Sequence, residues 1–210
     1  MSYAAETVRD ESWAKVVLAV TSRTPHLQDL RSGFRGFSND CKQSMGNAQQ
    51  QNLQHPSDWR ISFTLYARGC QQVIVDPFAN GCKIGTITNE LNPKFDTTYH
   101  LDALDFLKLL GDESADVVLY DPPYSLRQVK ECYEGVGVTV TAEHTKASWR
   151  AKHLDEIARI LKPGGVCLCF GWNSNGVGKK RGFEMIEVLL VAHGGSKNDT
   201  ICTVERKVVT

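Results

Sequence analysis

Four short apolar runs, each ending near a polar, glycine or aromatic residue, constrain the fold of this 210-residue chain more than any other feature. They are rich in β-branched residues, as buried parallel strands are. The runs are 72–76, 85–90, 116–121 and 166–172. Two segments with helical spacing, 101–110 and 149–165, separate the later runs. Because strands that alternate with helices form parallel sheets, the sequence predicts an α/β fold.

The end of the chain departs from this alternation. Two strand-like runs, 184–193 and 200–208, are joined by a short loop without a helical segment, which predicts an antiparallel hairpin at the sheet edge. The helical segment 149–165 has one apolar face, and Pro163-Gly164-Gly165 predicts its end. That face is formed by Leu154, Ile157, Ala158 and Leu161.

Residues 1–60 lie outside this pattern. We expect them to form an amino-terminal arm that takes part in substrate recognition and contains a Gln-rich linker at 43–54. Residues 61–210 are expected to form the main domain. The net charge is zero, but residues 61–125 carry nine Asp and Glu against four Lys and Arg. Residues 126–210 carry thirteen Lys and Arg against nine acids. This asymmetry fits a cationic small molecule in one half and an anionic polymer in the other.

Hydropathy and cysteine usage predict a cytoplasmic location. No run approaches the roughly 18 apolar residues that a membrane span requires, and residues 1–12 lack the features of a secretory signal. The seven cysteines are scattered, which favours reduced thiols. Cys167 and Cys169 are two residues apart on a predicted strand and are expected to be small core residues. We expect no metal site.

The motif Asp121-Pro122-Pro123-Tyr124 follows the run 116–121 directly. Here the chain resembles the Rossmann-like, S-adenosylmethionine-dependent methyltransferases that act on exocyclic amino groups of nucleic acid bases. The resemblance covers about residues 61–208 and implies a mostly parallel sheet with an antiparallel carboxyl-terminal hairpin. It also implies that the motif's four residues are catalytic.

The chemistry of an aromatic amine explains these residue types. Its nitrogen is a poor nucleophile because the lone pair is delocalised into the ring. A carboxylate and the carbonyl of the first proline can accept both amino hydrogens and so favour a pyramidal nitrogen. Two prolines fix the backbone and remove competing N–H donors, and the tyrosine offers a face on which the base stacks. Positioning and electrostatics then provide most of the catalysis.

The same resemblance implies a cofactor site. The loop from Asp76 to Cys82 resembles the family's D-P-F-A-G-S-G loop, Glu90 stands where the family has an acid that binds the ribose, and Asp102 stands where an acid meets the adenine amino group. The predicted cofactor-binding residues are Asp76, Pro77, Phe78, Ala79, Asn80, Glu90, Asp102 and Ala103. The implied cofactor is S-adenosyl-L-methionine, with S-adenosyl-L-homocysteine as the product.

Two features depart from the family pattern. Asn80 and Cys82 replace glycines, although Asn tolerates a left-handed backbone better than most residues. The connection 77–84 between the first two strands has eight residues, whereas a parallel crossover normally needs about a dozen. We therefore predict that the first crossover helix is missing or reduced to one turn. Such a short loop is similar to that of small methylases from phages and mobile elements.

Residues around and after the motif predict the nucleic acid surface. SLRQVKECYEG has helical composition, and residues 135–146, GVGVTVTAEHTK, predict a flexible or β-rich flap. The Lys179-Lys180-Arg181 triplet is expected beside a strand's carboxyl end, where it suits phosphate binding. The predicted substrate-binding residues are Ser125, Arg127, Trp172, Asn173, Asn175, Lys179, Lys180 and Arg181.

The preferred function is methylation of adenine N6 in DNA, with DNA favoured over RNA as the partner. An RNA base methylase acting on guanine N2 or adenine N6 is an alternative, and so is a non-catalytic protein that retains the fold and binds cofactor or nucleic acid. Cytosine N4 is less favoured because that subgroup tends to place Ser where Asp121 stands. No segment corresponds to a recognition domain of a hundred or more residues. Recognition of the target therefore either rests on residues 1–60, the flap and the Lys179–Arg181 loop, or is short, relaxed, provided by a homodimer or supplied by a recognition partner.

Overall fold

The computed structural model describes residues 72–146, 148–191 and 198–209. The predicted arm and linker of residues 1–60 lie outside the described residues. The domain division at residue 60 therefore stays a prediction.

Six strands form one sheet in the order β2-β1-β3-β4-β6-β5. They are β1 (Ile74–Asp76), β2 (Ile87–Thr88), β3 (Ala115–Tyr120), β4 (Leu161–Gly171), β5 (Phe183–Val191) and β6 (Thr200–Lys207). The first four strands are parallel, and β6 is antiparallel to both β4 and β5. The predicted α/β architecture, a mostly parallel sheet with an antiparallel carboxyl-terminal hairpin, is confirmed.

Three helices connect these strands: α1 (Ala103–Leu109), α2 (Leu126–Glu134) and α3 (Ser148–Ile160). The Asp102 carboxylate caps α1 by accepting from the Leu104 N–H at 2.9 Å. Ser125 and Gln128 form a capping box at the start of α2, which satisfies amide groups that the first turn leaves unpaired. None of the helices in the described ranges is long and apolar enough to cross a membrane.

The core between the sheet and the helices follows the alternation of side chains along each strand. Val75, Val118 and Cys167 face a cluster that includes Phe106 and Ile157, and all five are fully buried. The Sγ atoms of Cys167 and Cys169 lie 3.5 Å apart in this core, as predicted. Truncating a residue such as Ile157 to alanine would cost about 2–5 kcal/mol in unfolding free energy.

Two element boundaries were predicted wrongly. The second strand is Ile87–Thr88 rather than 85–90, because Gly85 and Thr86 belong to the irregular segment that precedes the strand. Helix α3 ends at Ile160, and Leu161 opens β4 by pairing with Ala115. Pro163 accounts for this early end, because a proline disfavours the helical conformation of the residue before it.

The connection between β1 and β2 contains no helix, as predicted from its length. Asn80 and Gly81 adopt the left-handed conformation, with φ of 46° and 76°, and so reverse the chain within two residues. A Cβ atom on Gly81 would lie 2.9 Å from the Phe95 ring, so the turn has no room for a side chain there. Residues 135–146 form turns without a strand, so the flap is not β-rich.

Candidate active site

The strand order creates a crevice at the carboxyl ends of β1 and β3. The chain leaves β1 for β2 on one side and then returns to form β3 on the other side. Open α/β sheets bind ligands where the order reverses in this way. Asp76 is the last residue of β1 and Asp121 directly follows β3, so the two carboxylates flank this point. Both are buried.

The motif Asp121–Tyr124 is fixed at both ends. The Tyr124 hydroxyl donates to Oδ1 of Asp121 at 2.5 Å. The backbone N–H groups of Tyr124 and Ser125 both donate to Oε1 of Gln128, at 2.7 and 3.2 Å. Pro122 and Pro123 lie between these attachments and restrict the backbone further. The motif is therefore held rigidly at the crevice.

An aromatic pair borders the motif. The rings of Tyr124 and Trp172 are 5.7 Å apart with an interplanar angle of 69°, an edge-to-face arrangement. Trp172 follows β4 and is 43% exposed, so it presents apolar ring surface at the same edge of the sheet as Asp121. Aromatic faces of this kind bind flat heterocycles by stacking.

Asn173 and Asn175 follow Trp172 in an exposed turn. Oδ1 of Asn173 accepts from the Asn175 N–H at 3.0 Å, and the Asn175 carbonyl accepts from Nη2 of Arg150 at 3.0 Å. The Arg150 guanidinium also lies over the Tyr120 ring, 5.5 Å from its centroid. Arg150, in the first turn of α3, therefore places a cation beside this turn.

Glu90 holds the loop that follows β1. Its Oε2 accepts from the Asn80 N–H at 2.9 Å, and its Oε1 accepts from the Asn92 N–H at 3.2 Å. Oδ1 of Asp76 accepts from the Phe78 N–H at 3.1 Å at the other end of the loop. The structure thus brings the predicted ribose acid and the predicted cofactor loop into direct contact.

Asn89 links this loop to the start of α1. Its Nδ2 donates to the carbonyls of Pro77 and Leu101 at 3.1 and 3.0 Å, and its Oδ1 accepts from the Leu101 N–H at 2.9 Å. Its backbone pairs with Asp76 and Ala79. Asn89 therefore sets the distance between the loop and Asp102, which follows Leu101.

Asp102 caps α1, and the buried Ala103 is the first residue of that helix. Oδ2 of Asp102 accepts a hydrogen bond from the Tyr133 hydroxyl of α2. Burial and the bond to Asp102 raise the pKa of Tyr133, so its hydroxyl stays protonated and remains a donor.

Phe78 and the buried Ala79 pack at the base of the loop. The Phe78 ring meets the rings of Tyr120 and His153 edge-on, with centroids 5.8 Å from each. The Tyr120 hydroxyl and Nδ1 of His153 are 3.1 Å apart. Burial lowers the pKa of His153 from 6.5 to about 4, so its imidazole is neutral.

Two residues of the predicted nucleic acid surface lie next to the motif. The Ser125 hydroxyl caps α2 and accepts from the Gln128 N–H. Arg127 is in the first turn of the same helix, where its side chain is 87% exposed and pairs with Glu131 at 2.7 Å. Arg127 is thus a surface cation near Tyr124.

The predicted position of the Lys179–Arg181 triplet beside a strand's carboxyl end is wrong. The triplet forms a short 3-10 helix just before β5, whose residue Glu184 lies across β6 from Val166 of β4. The triplet therefore stands at the amino end of β5 and not after the carboxyl end of a parallel strand. The Arg181 guanidinium is also engaged by Asp155, Val177 and Ala151.

Several residues that shape the site were not singled out from the sequence. They are Asn89, Gln128, Tyr133, Arg150 and His153. Gln128 had a readable signal, because Ser125 followed three residues later by Gln is a capping-box pattern. The contacts of the others depend on tertiary packing that no local pattern reveals.

Comparison with known proteins tests the resemblance to methyltransferases that the sequence indicated. No protein family model matches the chain. A stretch of 92 residues is 35% identical to the type II methyltransferase M.BamHI of Bacillus amyloliquefaciens, covering 40% of this chain and 21% of that protein. The resemblance to S-adenosylmethionine-dependent methyltransferases is confirmed. The chain spans about a fifth of the length of this curated methyltransferase.

Two solved structures align with the chain at low identity. TrmN from Thermus thermophilus has a TM-score of 0.45 and 17% identity, over 71% of this chain and 49% of its own. The 1,6-didemethyltoxoflavin-N1-methyltransferase of Burkholderia thailandensis, solved with S-adenosylhomocysteine, has a TM-score of 0.43 and 13% identity. That alignment covers 89% of this chain and 91% of its own.

Proposed function

We propose that this chain is an S-adenosylmethionine-dependent methyltransferase that methylates adenine N6 in DNA. The observation that carries the proposal is the position of Asp121-Pro122-Pro123-Tyr124 at the reversal point of the sheet, opposite the Asp76 loop. The sequence match to a type II methyltransferase supports the same conclusion.

The residues at the crevice fit S-adenosylmethionine. Carboxylates are acceptors only, so Glu90 and Asp102 suit a ribose diol and an adenine amino group, both of which are donors. The carboxylates of Asp76 and Asp121 add negative charge around a sulfonium. When bound, the cofactor supplies an electrophilic methyl group whose bond to sulfur breaks with the electron pair left on sulfur.

The chain's own residues then prepare the target nitrogen. The Asp121 carboxylate and the Pro122 carbonyl accept the two amino hydrogens, which localises the lone pair on nitrogen for attack on the methyl carbon. The proton released as the new N–C bond forms passes to Asp121. Tyr124 and Trp172 hold the flat base, while the Tyr124 hydroxyl keeps Asp121 oriented.

Adenine in DNA is preferred for two reasons already visible in the sequence. Asp121 stands where cytosine-N4 methylases tend to have Ser, and the Asp76-Pro77-Phe78-Ala79 loop is closer to that of DNA amino-methylases than to the RNA enzymes' loop.

A target base must leave the duplex at a cost of a few kcal/mol, which single strands avoid. We therefore expect single-stranded DNA to be the better substrate.

The test is incubation with a radiolabelled methyl donor and a mixture of DNA and RNA, followed by mass spectrometry of the nucleosides. The expected product is N6-methyladenine from DNA, at a rate at least a hundredfold lower for Asp121→Ala. Label in RNA alone would replace the DNA assignment with an RNA base methylase. Binding of S-adenosylhomocysteine without any transfer would indicate a non-catalytic protein.

A further inference from the structure

Helix α2 is attached to two different parts of the site, one at each end. At its start, Oε1 of Gln128 accepts from the N–H groups of Tyr124 and Ser125, so the catalytic motif and the helix are joined. Near its end, the Tyr133 hydroxyl donates to Oδ2 of Asp102 at the start of α1. The nine-residue helix is about 13 Å long by its rise per residue. It therefore connects the two halves of the site as a single rigid element.

The contact between Tyr133 and Asp102 is partly buried and specific. Tyr133 is 6% exposed, and its ring stacks on His144 with centroids 4.3 Å apart and an interplanar angle of 28°. Asp102 is held from the other side as well, because its Oδ1 accepts from the Leu104 N–H. A phenol bonded to a carboxylate is a charge-assisted pair, which is among the stronger hydrogen bonds in proteins.

The position of Asp102 gives this contact a consequence for binding. A ligand amino group that reaches Asp102 must share the carboxylate with the Tyr133 hydroxyl. A shift of that hydroxyl moves the end of α2. Because α2 is rigid, its start moves too, and the start is bonded to the backbone of Tyr124. Occupancy of the cofactor site and the geometry of the base site are then energetically linked.

We infer that Tyr133 is a positioning residue that couples cofactor binding at Asp102 to the placement of the catalytic motif through α2. This inference rests on the proposed function, because it takes Asp102 as part of the cofactor site. It predicts positive cooperativity between cofactor and nucleic acid, which is reciprocal and is measured as a ratio of dissociation constants.

The test measures that ratio on the full chain. The dissociation constant of S-adenosylhomocysteine is determined by calorimetry without and with a saturating single-stranded oligodeoxynucleotide. In the wild type the oligonucleotide is expected to tighten binding at least about fivefold, at the lower end of usual allosteric coupling. In Tyr133→Phe the ratio is expected to fall close to one, because the link between Asp102 and the end of α2 is lost.

A second variant separates coupling from a local contact. Gln128→Ala breaks the link at the other end of α2, so it is expected to lower the ratio while S-adenosylhomocysteine alone binds as in the wild type. Glu134→Gln, on an exposed side chain of the same helix, is the control and should keep the wild-type ratio. Gln128→Ala keeps the inference testable even where Tyr133→Phe fails to fold.

The outcomes are distinguishable from those of the proposed function. A wild-type ratio near one, or an unchanged ratio in Tyr133→Phe or Gln128→Ala, overturns the coupling even where the wild type transfers methyl groups. A lower melting temperature in Tyr133→Phe with an unchanged ratio identifies a merely structural contact. Coupling in a wild type that transfers no methyl group would support the inference and refute the proposed activity.

Discussion

The phenol oxygen of Tyr124 lies 2.5 Å from Oδ1 of Asp121, so the third residue after this carboxylate fixes the carboxylate's orientation. The same tyrosine presents its ring to Trp172. Under the proposed function, this one side chain aligns the acceptor of the target amino group and forms part of the surface on which the base stacks.

Asp121→Ala is expected to lower turnover at least about a hundredfold, the scale of losing a preorganised electrostatic group. Affinity for S-adenosylhomocysteine should stay nearly intact, because the cofactor acids Glu90 and Asp102 are unchanged. Steady-state kinetics and calorimetry check both expectations. Asp105→Ala, on the exposed side of α1, is the matched control and should retain wild-type activity. Activity within tenfold of wild type in Asp121→Ala would contradict the assigned role.

Glu90→Gln is expected to weaken S-adenosylhomocysteine binding about tenfold, since hydrogen bonds to a charged acceptor contribute more than neutral ones. The amide oxygen of Gln can still accept from the Asn80 N–H, so the loop after β1 should keep its conformation, whereas the bond from the Asn92 N–H is lost. Calorimetry gives the affinity and thermal unfolding reports the fold. Glu184→Gln, on an exposed part of β5, should change neither quantity. Unchanged affinity in Glu90→Gln would exclude Glu90 from the cofactor site.

Arg127→Ala is expected to weaken DNA binding and reduce the salt slope of the binding constant by about one, as for the loss of one phosphate contact. Lys180→Ala should leave the slope unchanged, because the Lys179–Arg181 triplet stands at the amino end of β5 and not after the carboxyl end of a parallel strand. Fluorescence anisotropy at several salt concentrations measures both slopes. The reverse pattern would place the polymer on the triplet.

Acid is expected to destabilise the domain through His153. Burial lowers the pKa of folded His153 to about 4, whereas the unfolded value is near 6.5. Between these values the unfolded chain binds a proton that the folded chain does not, so stability falls with falling pH. The loss from this group is about 2 kcal/mol between pH 7 and pH 5. Urea unfolding at the two pH values measures it.

The comparison variants for this effect are His153→Asn and His100→Asn. His153→Asn should remove most of the pH-dependent loss, because the amide does not titrate and can still face the Tyr120 hydroxyl. His100 lies on the surface, and its replacement should leave the loss unchanged. An equal loss in wild type and His153→Asn would show that other groups cause the acid sensitivity.

The succession of strands and helices along the chain and the position of the motif after β3 were predictable, because both depend on local patterns. Apolar runs followed by Asp76 and Asp121 indicate strand ends, and the eight residues of 77–84 leave no length for a helix. The position of the Lys179–Arg181 triplet was not predictable in this way. It depends on the path from β4 to the far edge of the sheet, which the pairing of β5 with β6 determines.

The residues that support the site escaped prediction for a related reason. Asn89 makes its bonds to Pro77 and Leu101, each twelve residues away, and Tyr133 reaches Asp102 across 31 positions. Such contacts are set by how α1, α2 and the loop pack together. Burial of His153 likewise requires knowing that Phe78 and Trp149 surround its ring.

The absent helix between β1 and β2 has a consequence for product release. A turn held by Glu90 and Asn89 can contact a bound cofactor through only a few hydrogen bonds, whereas a helix would cover a larger part of it. We therefore expect short residence times for both S-adenosylmethionine and S-adenosylhomocysteine. If the proposed function holds, we expect the enzyme to release its product quickly after each reaction. We then expect its turnover to depend on the supply of methyl donor rather than on release of the spent cofactor.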